Sequence, residues 1–207
     1  MPEPYKIVYQ GGVGEIVEKK SRFIATVLPI STEEEALSFI EQMKKQYWDA
    51  SHNCSAYTLG ERHETARCSD DGEPQKTAGR PMLDVLLSED VHNVCVVVTR
   101  YFGGTLLGTG GLVHAYSAAA NGALRAAEII RYDTYRRYNL ITTYSDFQKI
   151  GNVFADFSFR EEDSIYSDVI EIVGRVLSED SELFEKKLVE ITSGRIKIEK
   201  KDEIFDF

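Results

Sequence analysis

Asp70-Asp71-Gly72-Glu73 places three carboxylates within four residues, in a turn-rich stretch that continues through Pro74 to Thr77-Ala78-Gly79-Arg80-Pro81. Carboxylates this close repel one another unless donors, water or a cation offset them. As hard oxygen ligands they suit Mg²⁺, and as bases they can take a proton from a substrate hydroxyl. The same residues also make a plain solvated acidic turn. His52, in the strand-like stretch Asp49–Leu59, adds a side chain that titrates near neutrality and can exchange protons. The candidate catalytic residues are therefore His52, Asp70, Asp71 and Glu73.

A second constellation follows Arg100. Tyr101 and Phe102 lead into five glycines within nine residues, Gly103, Gly104, Gly108, Gly110 and Gly111. Glycine lets main chain approach a ligand closely, and the free N–H groups opening the next helix favour an anion. Arg80 and Arg100 supply permanent positive charge, and the two aromatics supply stacking surface. The candidate ligand-binding residues are Arg80, Arg100, Tyr101, Phe102 and those five glycines. This is no standard nucleotide loop: Val113 stands where G-x-G-x-x-G needs its last glycine, and Gly-Lys-Ser/Thr is missing. A glycine-rich crossover that only packs a helix closely on a sheet fits the same spacing.

No metal or cofactor site is read. His52, Cys54, His63 and Cys68 are ligand types, but their H-x-C and H-x4-C spacings match no zinc module.

The elements that must position these residues centre on Val94–Val98, an apolar run right for a strand buried on both faces. After the glycines, Leu112, Tyr116, Ala119, Ala120, Ala123 and Leu124 recur at helical spacing. Upstream, Tyr5–Tyr9 and Gly14–Pro29 read as strands, with the basic cluster Lys19, Lys20, Arg22 suited to a solvated strand or turn. Ser31 with Glu34 forms a capping box for a helix whose face is Leu37, Ile40, Met43 and Tyr47. The polar stretch from His63 to Ala78 reads as loop, and a short helix runs from Arg80 or Met82 to Leu87. Arg131–Arg137 is a charged break without apolar periodicity, which predicts two domains, 1–133 and 134–207. Beyond it, Tyr138–Tyr144 is a strand and Ser145 with Gln148 caps a helix. Strands over Arg160–Tyr166 and Val169–Leu177, a helix from Ser181 stopped by Gly194, and a strand through Ile196 and Ile198 follow. That order, β-α-β-β-α-β, is the ferredoxin-like unit, and the whole chain is α+β.

At 207 residues with 43 % hydrophobic and 28 % charged side chains, the chain can build ordinary folded cores. Its net charge of −10 divides as −4 in residues 1–131 and −6 in 132–207, so bulk phosphate attraction is not evident in either part. Three cysteines without paired spacing fit a reducing, cytoplasmic setting, and no apolar run approaches a membrane span.

Lys20-Ser21-Arg22-Phe23-Ile24, His52-Asn53 with Ala56-Tyr57, Asp70–Pro74 with Thr77–Pro81, and Thr99–Tyr116 together resemble the YigZ family of bacterial proteins. The first domain of that family is shared with the eukaryotic translational regulator IMPACT. The resemblance implies a first domain like the second domain of small-subunit ribosomal protein S five. It implies a second domain like domain V of elongation factor G. Two positions depart from the pattern: Gln75-Lys76 stand where Ser-Gly is common, and His114 where Arg is common. On this footing the expected function is a cytosolic binding protein associated with translation through RNA, the ribosome or a ribosome-bound factor. An enzyme acting on a small anionic, phosphorylated substrate with the Asp70–Glu73 and Gly103–Gly111 loops is the alternative. A third reading is purely structural, with Arg80 and Arg100 paired to the acidic loop as a buried network.

Overall fold

The structure, a computed structural model, describes residues 3–207. Its contacts divide into two units that meet in the chain between Arg131 and Tyr132. The first unit carries β1 (Tyr5–Gln10), β2 (Gly12–Glu18), β3 (Ser21–Pro29), α1 (Glu33–Gln46), β4 (His52–Leu59), β5 (Thr65–Ser69), α2 (Gly79–Ser88), β6 (Val91–His92), β7 (Val94–Tyr101) and α3 (Gly108–Ala126). Five strands form an antiparallel sheet in the order β2-β3-β7-β4-β5. The period of two assigns alternate side chains to opposite faces. Val94, Val96 and Val98 of β7 pack with the buried residues of α2 and α3, while Cys95 and Val97 pack with Ala36, Phe39 and Met43 of α1. The predicted two-sided burial of this strand is what the structure contains.

Several local expectations shift. The N-cap of α1 is Thr32, whose hydroxyl accepts the Glu35 N–H at 3.2 Å, while the Glu35 carboxylate accepts the Ser31 N–H at 2.6 Å. The capping residues therefore stand one position later than Ser31 and Glu34. The buried face of α1 shifts accordingly, and Leu37 is 53 % exposed. Within the stretch read as loop, Thr65–Ser69 is an edge strand paired with β4. Helix α3 begins at Gly108 rather than after the glycines, so Gly108, Gly110 and Gly111 lie in its first turn. Gly103 is different: a Cβ there would sit 2.0 Å from the Lys20 carbonyl carbon, so only glycine lets β7 leave the sheet past the β2–β3 turn.

The charged stretch Arg131–Arg137, within which the two units divide, is not irregular but part of a fifteen-residue strand, β8 (Glu128–Thr142). Burial along it changes parity, with Asp133 and Tyr135 buried in its first part and Tyr138, Leu140 and Thr142 in its second, so the two tyrosines face opposite sides of the sheet. The second unit continues with α4 (Tyr144–Asp156), β9 (Arg160–Tyr166), β10 (Ile170–Leu177), α5 (Ser181–Thr192) and β11 (Lys197–Asp206). Its strands pair antiparallel in the order β11-β8-β10-β9. This is the expected ferredoxin-like β-α-β-β-α-β arrangement, with Tyr138, Leu140, Ile150, Ile170, Ile172, Phe184 and Leu188 in its core. The N-cap of α4 is Thr143, accepting the Asp146 N–H at 3.3 Å, not Ser145. Among the described residues, no helix is long and apolar enough to cross a membrane.

Asp146 makes the stability of the second unit depend on pH. Its carboxylate accepts two hydrogen bonds from Arg195, each 2.8 Å, and one from Lys149 at 2.9 Å. Arg195 first, then Lys149, hold this carboxyl well below the usual carboxylate range. A carboxyl whose folded value is depressed stabilises the fold above its unfolded value of about 3.9, and that contribution is lost as pH falls toward the folded value. In urea titrations from pH 5 to pH 2, the stability of Asp146→Asn should therefore fall with a shallower slope than wild type. Equal slopes would show that Asp146 is not a source of the acid sensitivity.

Candidate functional site

Asp70, Asp71 and Glu73 do not share a ligand; the turn aims each carboxylate at a different set of donors. Asp70 caps α2 from a distance: Oδ1 accepts the N–H groups of Ala78 (3.0 Å) and Gly79 (2.8 Å), and Oδ2 accepts that of Lys76 (2.8 Å). Helix α2 has no cap from its own N-cap residue, so Asp70 satisfies donors that would otherwise be orphaned. Asp71 accepts the Asn53 N–H at 2.7 Å and the Lys44 ammonium at 2.8 Å. Burial alone would raise its pKa, but Lys44 and the Asn53 N–H hold it below the usual carboxylate range. Asp71 and Gly72 both have positive φ, and this sharp turn directs the Asp71 carbonyl to His52 Nδ1 at 2.9 Å.

Glu73 turns inward. Its Oε1 accepts from Arg100 Nη1 at 2.6 Å and from the Tyr116 hydroxyl at 2.8 Å, and all three side chains are buried. The Arg100 guanidinium also reaches Ser21 Oγ at 3.4 Å and lies over the rings of Phe23 (5.4 Å) and Phe102 (5.5 Å). Among the described residues, Arg100 Nε has no partner. Ser21 accepts the Gly103 N–H at 3.1 Å, which ties the β2–β3 turn to the start of the glycine loop. Cys54 donates to the Asp70 carbonyl at 3.0 Å and packs 3.4 Å from the Tyr116 hydroxyl. Burial pushes the Cys54 thiol and the Tyr116 phenol up, which favours the neutral form of both.

Above this network opens a pocket of about 570 Å³. Its charged floor is Glu73 and Arg100, with His52 beside them; Nε2 of His52 is 3.9 Å from Glu73 Oε2. Because the Asp71 carbonyl can only accept, His52 Nδ1 carries a proton, which leaves Nε2 as the ring nitrogen turned toward Glu73. The remaining walls are largely apolar: Pro74, Phe102, Leu106, Leu107 and Leu112, with Gly108 and Thr109 of the α3 N-terminus. Phe102 is 49 % and Leu106 82 % exposed, so the apolar rim faces solvent.

Of the candidate residues, His52, Glu73, Arg100, Phe102 and Gly108 line this pocket. Arg80 does not: it is exposed and pairs with Asp84 one helical turn on, at 2.8 Å. Tyr101 hydrogen-bonds to Asp49 at 2.8 Å, outside the lining. Asp70 and Asp71 hold the loop from beneath. Gly104 and Gly110 face open space, and Gly111 packs on Leu107. Of the residues that depart from the family pattern, Lys76 lends its N–H to Asp70, and His114 is exposed outside the pocket. Sequence reasoning missed Tyr116 as a partner of Glu73, although a lone tyrosine inside an alanine-rich helix face was the available signal. Leu106 and Leu107 carried no signal beyond their hydrophobicity.

The geometry defines a class of protein, an α+β domain with an apolar-walled pocket over an internally neutralised charge pair, followed by a ferredoxin-like unit. Residues 19–124 match the Impact N-terminal domain family, and residues 140–195 match a domain of unknown function (DUF1949). IMPACT family member YvyE of Bacillus subtilis is 39 % identical over 94 % of this chain and 90 % of its own length. IMPACT family member YigZ of Escherichia coli is 42 % identical over 61 % of this chain and 63 % of its own. A crystal structure described as that of a hypothetical protein is 31 % identical, with a TM-score of 0.60, and the match covers 96 % of this chain and 97 % of that one. The chain belongs to the IMPACT family.

Proposed function

We propose that this chain is a cytoplasmic, translation-associated binding protein that seats an apolar group of a ribosome-bound protein factor in the pocket between Phe102, Leu106 and Leu112. The observation that carries this reading is the character of the pocket: its guanidinium is already neutralised by Glu73, and its rim is exposed hydrophobic surface. A paired, buried Arg100 is a poor phosphate ligand, and a chain of net charge −10 gains little from phosphate attraction. An aromatic and aliphatic rim over a desolvated floor is instead the anatomy of a protein contact. The association with translation rests on the resemblance to the translational regulators of this family. The reading as an enzyme for an anionic substrate draws less support, since Asp70, Asp71 and Glu73 are each committed to donors of the fold itself.

Cosedimentation with purified bacterial ribosomes, with and without their bound factors, tests this at about 50 and about 200 mM salt. Wild type should associate only when factors are present, with an affinity that changes less than about tenfold between the two salts. Several phosphate contacts would instead cost a factor on the order of 10³ or more. Leu106→Asp, a change at an exposed side chain, should weaken association at least about tenfold while leaving the unfolding free energy within about 0.5 kcal/mol. No association, or association untouched by Leu106→Asp, counts against the proposal.

A further inference from the structure

On the same unit, outside the pocket, His63, Asp90 and His92 converge from two segments. His63 lies in the turn between β4 and β5; Asp90 and His92 flank the start of β6. His92 Nε2 is 3.0 Å and His63 Nε2 is 3.4 Å from the same oxygen, Asp90 Oδ1. The three ligand atoms all lie within 4.8 Å of one another. Ligands of a tetrahedral ion at about 2.0–2.1 Å stand roughly 3.3 Å apart, so the two nitrogen–oxygen spacings already suit one ion.

The hydrogen bonding around His92 sharpens this. Its Nδ1 is 3.0 Å from the Gly60 carbonyl, which can only accept, so Nδ1 carries a proton. His92 Nε2 is thereby the nitrogen turned to the Asp90 carboxylate oxygen at 3.0 Å, a contact that a proton or a metal ion can bridge. An Nδ1–H to backbone carbonyl bond is also the outer contact that fixes the tautomer and ring orientation of a metal-bound histidine. Among the described residues, His63 Nδ1 is buried without a partner, and the His63 and His92 rings stack at 3.8 Å. His63, Asp90 and Asn93 all hold positive φ near 53°, a strained backbone that neighbouring contacts must maintain. One such contact is the Gly60 N–H donated to Asn93 Oδ1 at 2.8 Å.

We propose that His63 Nε2, His92 Nε2 and the Asp90 carboxylate bind one divalent transition-metal ion of the Zn²⁺ class, stapling the β4–β5 turn to the α2–β6 segment. Two imidazoles and a carboxylate select Zn²⁺ or Co²⁺ over Mg²⁺ or Ca²⁺, which prefer all-oxygen sets. Water completes the coordination. The exposed Asp90 leaves an entry path from solvent, while His92 forms the buried anchor. Parallel stacked rings cannot both point at one ion, so binding rotates the outer ring, His63, out of its stack on His92.

The test is titration of metal-free protein with Co²⁺, read by visible absorption, and with Zn²⁺, read by calorimetry and thermal unfolding. The variants are His63→Asn and Asp90→Asn, because asparagine tolerates the left-handed backbone at both positions. Wild type should bind one equivalent, develop a Co²⁺ band and unfold at higher temperature with Zn²⁺, with no response to Mg²⁺. Each variant should keep its circular dichroism and lose affinity by more than about tenfold, together with the thermal shift. No Co²⁺ band and no Zn²⁺ heat in wild type, or undiminished binding in both folded variants, would overturn the proposal.

Discussion

Glu73→Ala is expected to destabilise the first unit by about 3–5 kcal/mol, read as a shift in the urea unfolding midpoint. The carboxylate holds Arg100 at 2.6 Å, with the Glu73 side chain 3 % and the Arg100 side chain 6 % exposed. Removing it leaves a guanidinium enclosed by Phe23 and Phe102 with only a long contact to Ser21, and Nε already lacks a partner. Tyr116 loses its acceptor in the same step. Arg100→Ala should cost a similar amount by the converse route, an enclosed carboxylate that keeps only the phenol hydrogen bond. Because each single change isolates its partner, the two losses will not add. Glu73→Leu with Arg100→Met removes both charges at similar volume and should recover most of the stability. A loss below about 1 kcal/mol in both single variants would mean that the pair is solvated, and that Arg100 is free to serve a ligand. The experiment therefore separates the structural reading of this network from an anion-binding one, and it explains why Leu106, not Arg100, is the informative position for partner binding.

How far the sequence discloses this arrangement depends on how local each cause is. Val94–Val98 is legible because a strand buried on both faces must be apolar throughout, and Arg160–Tyr166 because turn residues bound it on both sides. Thr65–Ser69 is not, since an edge strand with one neighbour and partly exposed side chains leaves no apolar alternation to find. Arg131–Arg137 reads as a break for a related reason: burial changes parity between Tyr135 and Tyr138, so no single period of two runs through it. The candidate site is half legible. Glu73 and Arg100 are recognisable as charges in turn and strand, but Asp70 as a remote helix cap depends on the loop returning to Ala78 and Gly79. The distinction between Arg80 and Arg100 was nearer the surface, because Asp84 stands four residues after Arg80 on the same helix. His63 and His92 are twenty-nine positions apart and match no ligand spacing, so only the fold brings them together.

The glycines supply the second large effect, and it falls outside the loop between Gly103 and Gly111. Gly14→Ala should destabilise the first unit by about 3 kcal/mol, the upper end for overpacking. Strand β2 and helix α3 touch backbone to backbone: a Cβ at Gly14 would lie 2.5 Å from the Ala123 nitrogen and 2.6 Å from the Gly122 carbonyl carbon. None of those atoms belongs to a side chain that can swing aside, so the helix itself must move. Helix α3 carries Tyr116 against Glu73 and Leu112 in the pocket wall, so its displacement should disturb the buried network as well. Gly110 is the contrasting case. It lies in the first turn of α3, a Cβ there would meet nothing within 4 Å, and its φ is not positive, so Gly110→Ala should be neutral or stabilise by up to about 1 kcal/mol. Paired urea unfolding curves decide the matter. If Gly14→Ala were tolerated and Gly110→Ala were costly, the close helix-on-sheet packing would have to reside in the loop glycines after all. The opposite result assigns the packing to β2 and leaves the Gly104–Gly110 backbone, open on its outer side, as accessible surface beside the apolar rim.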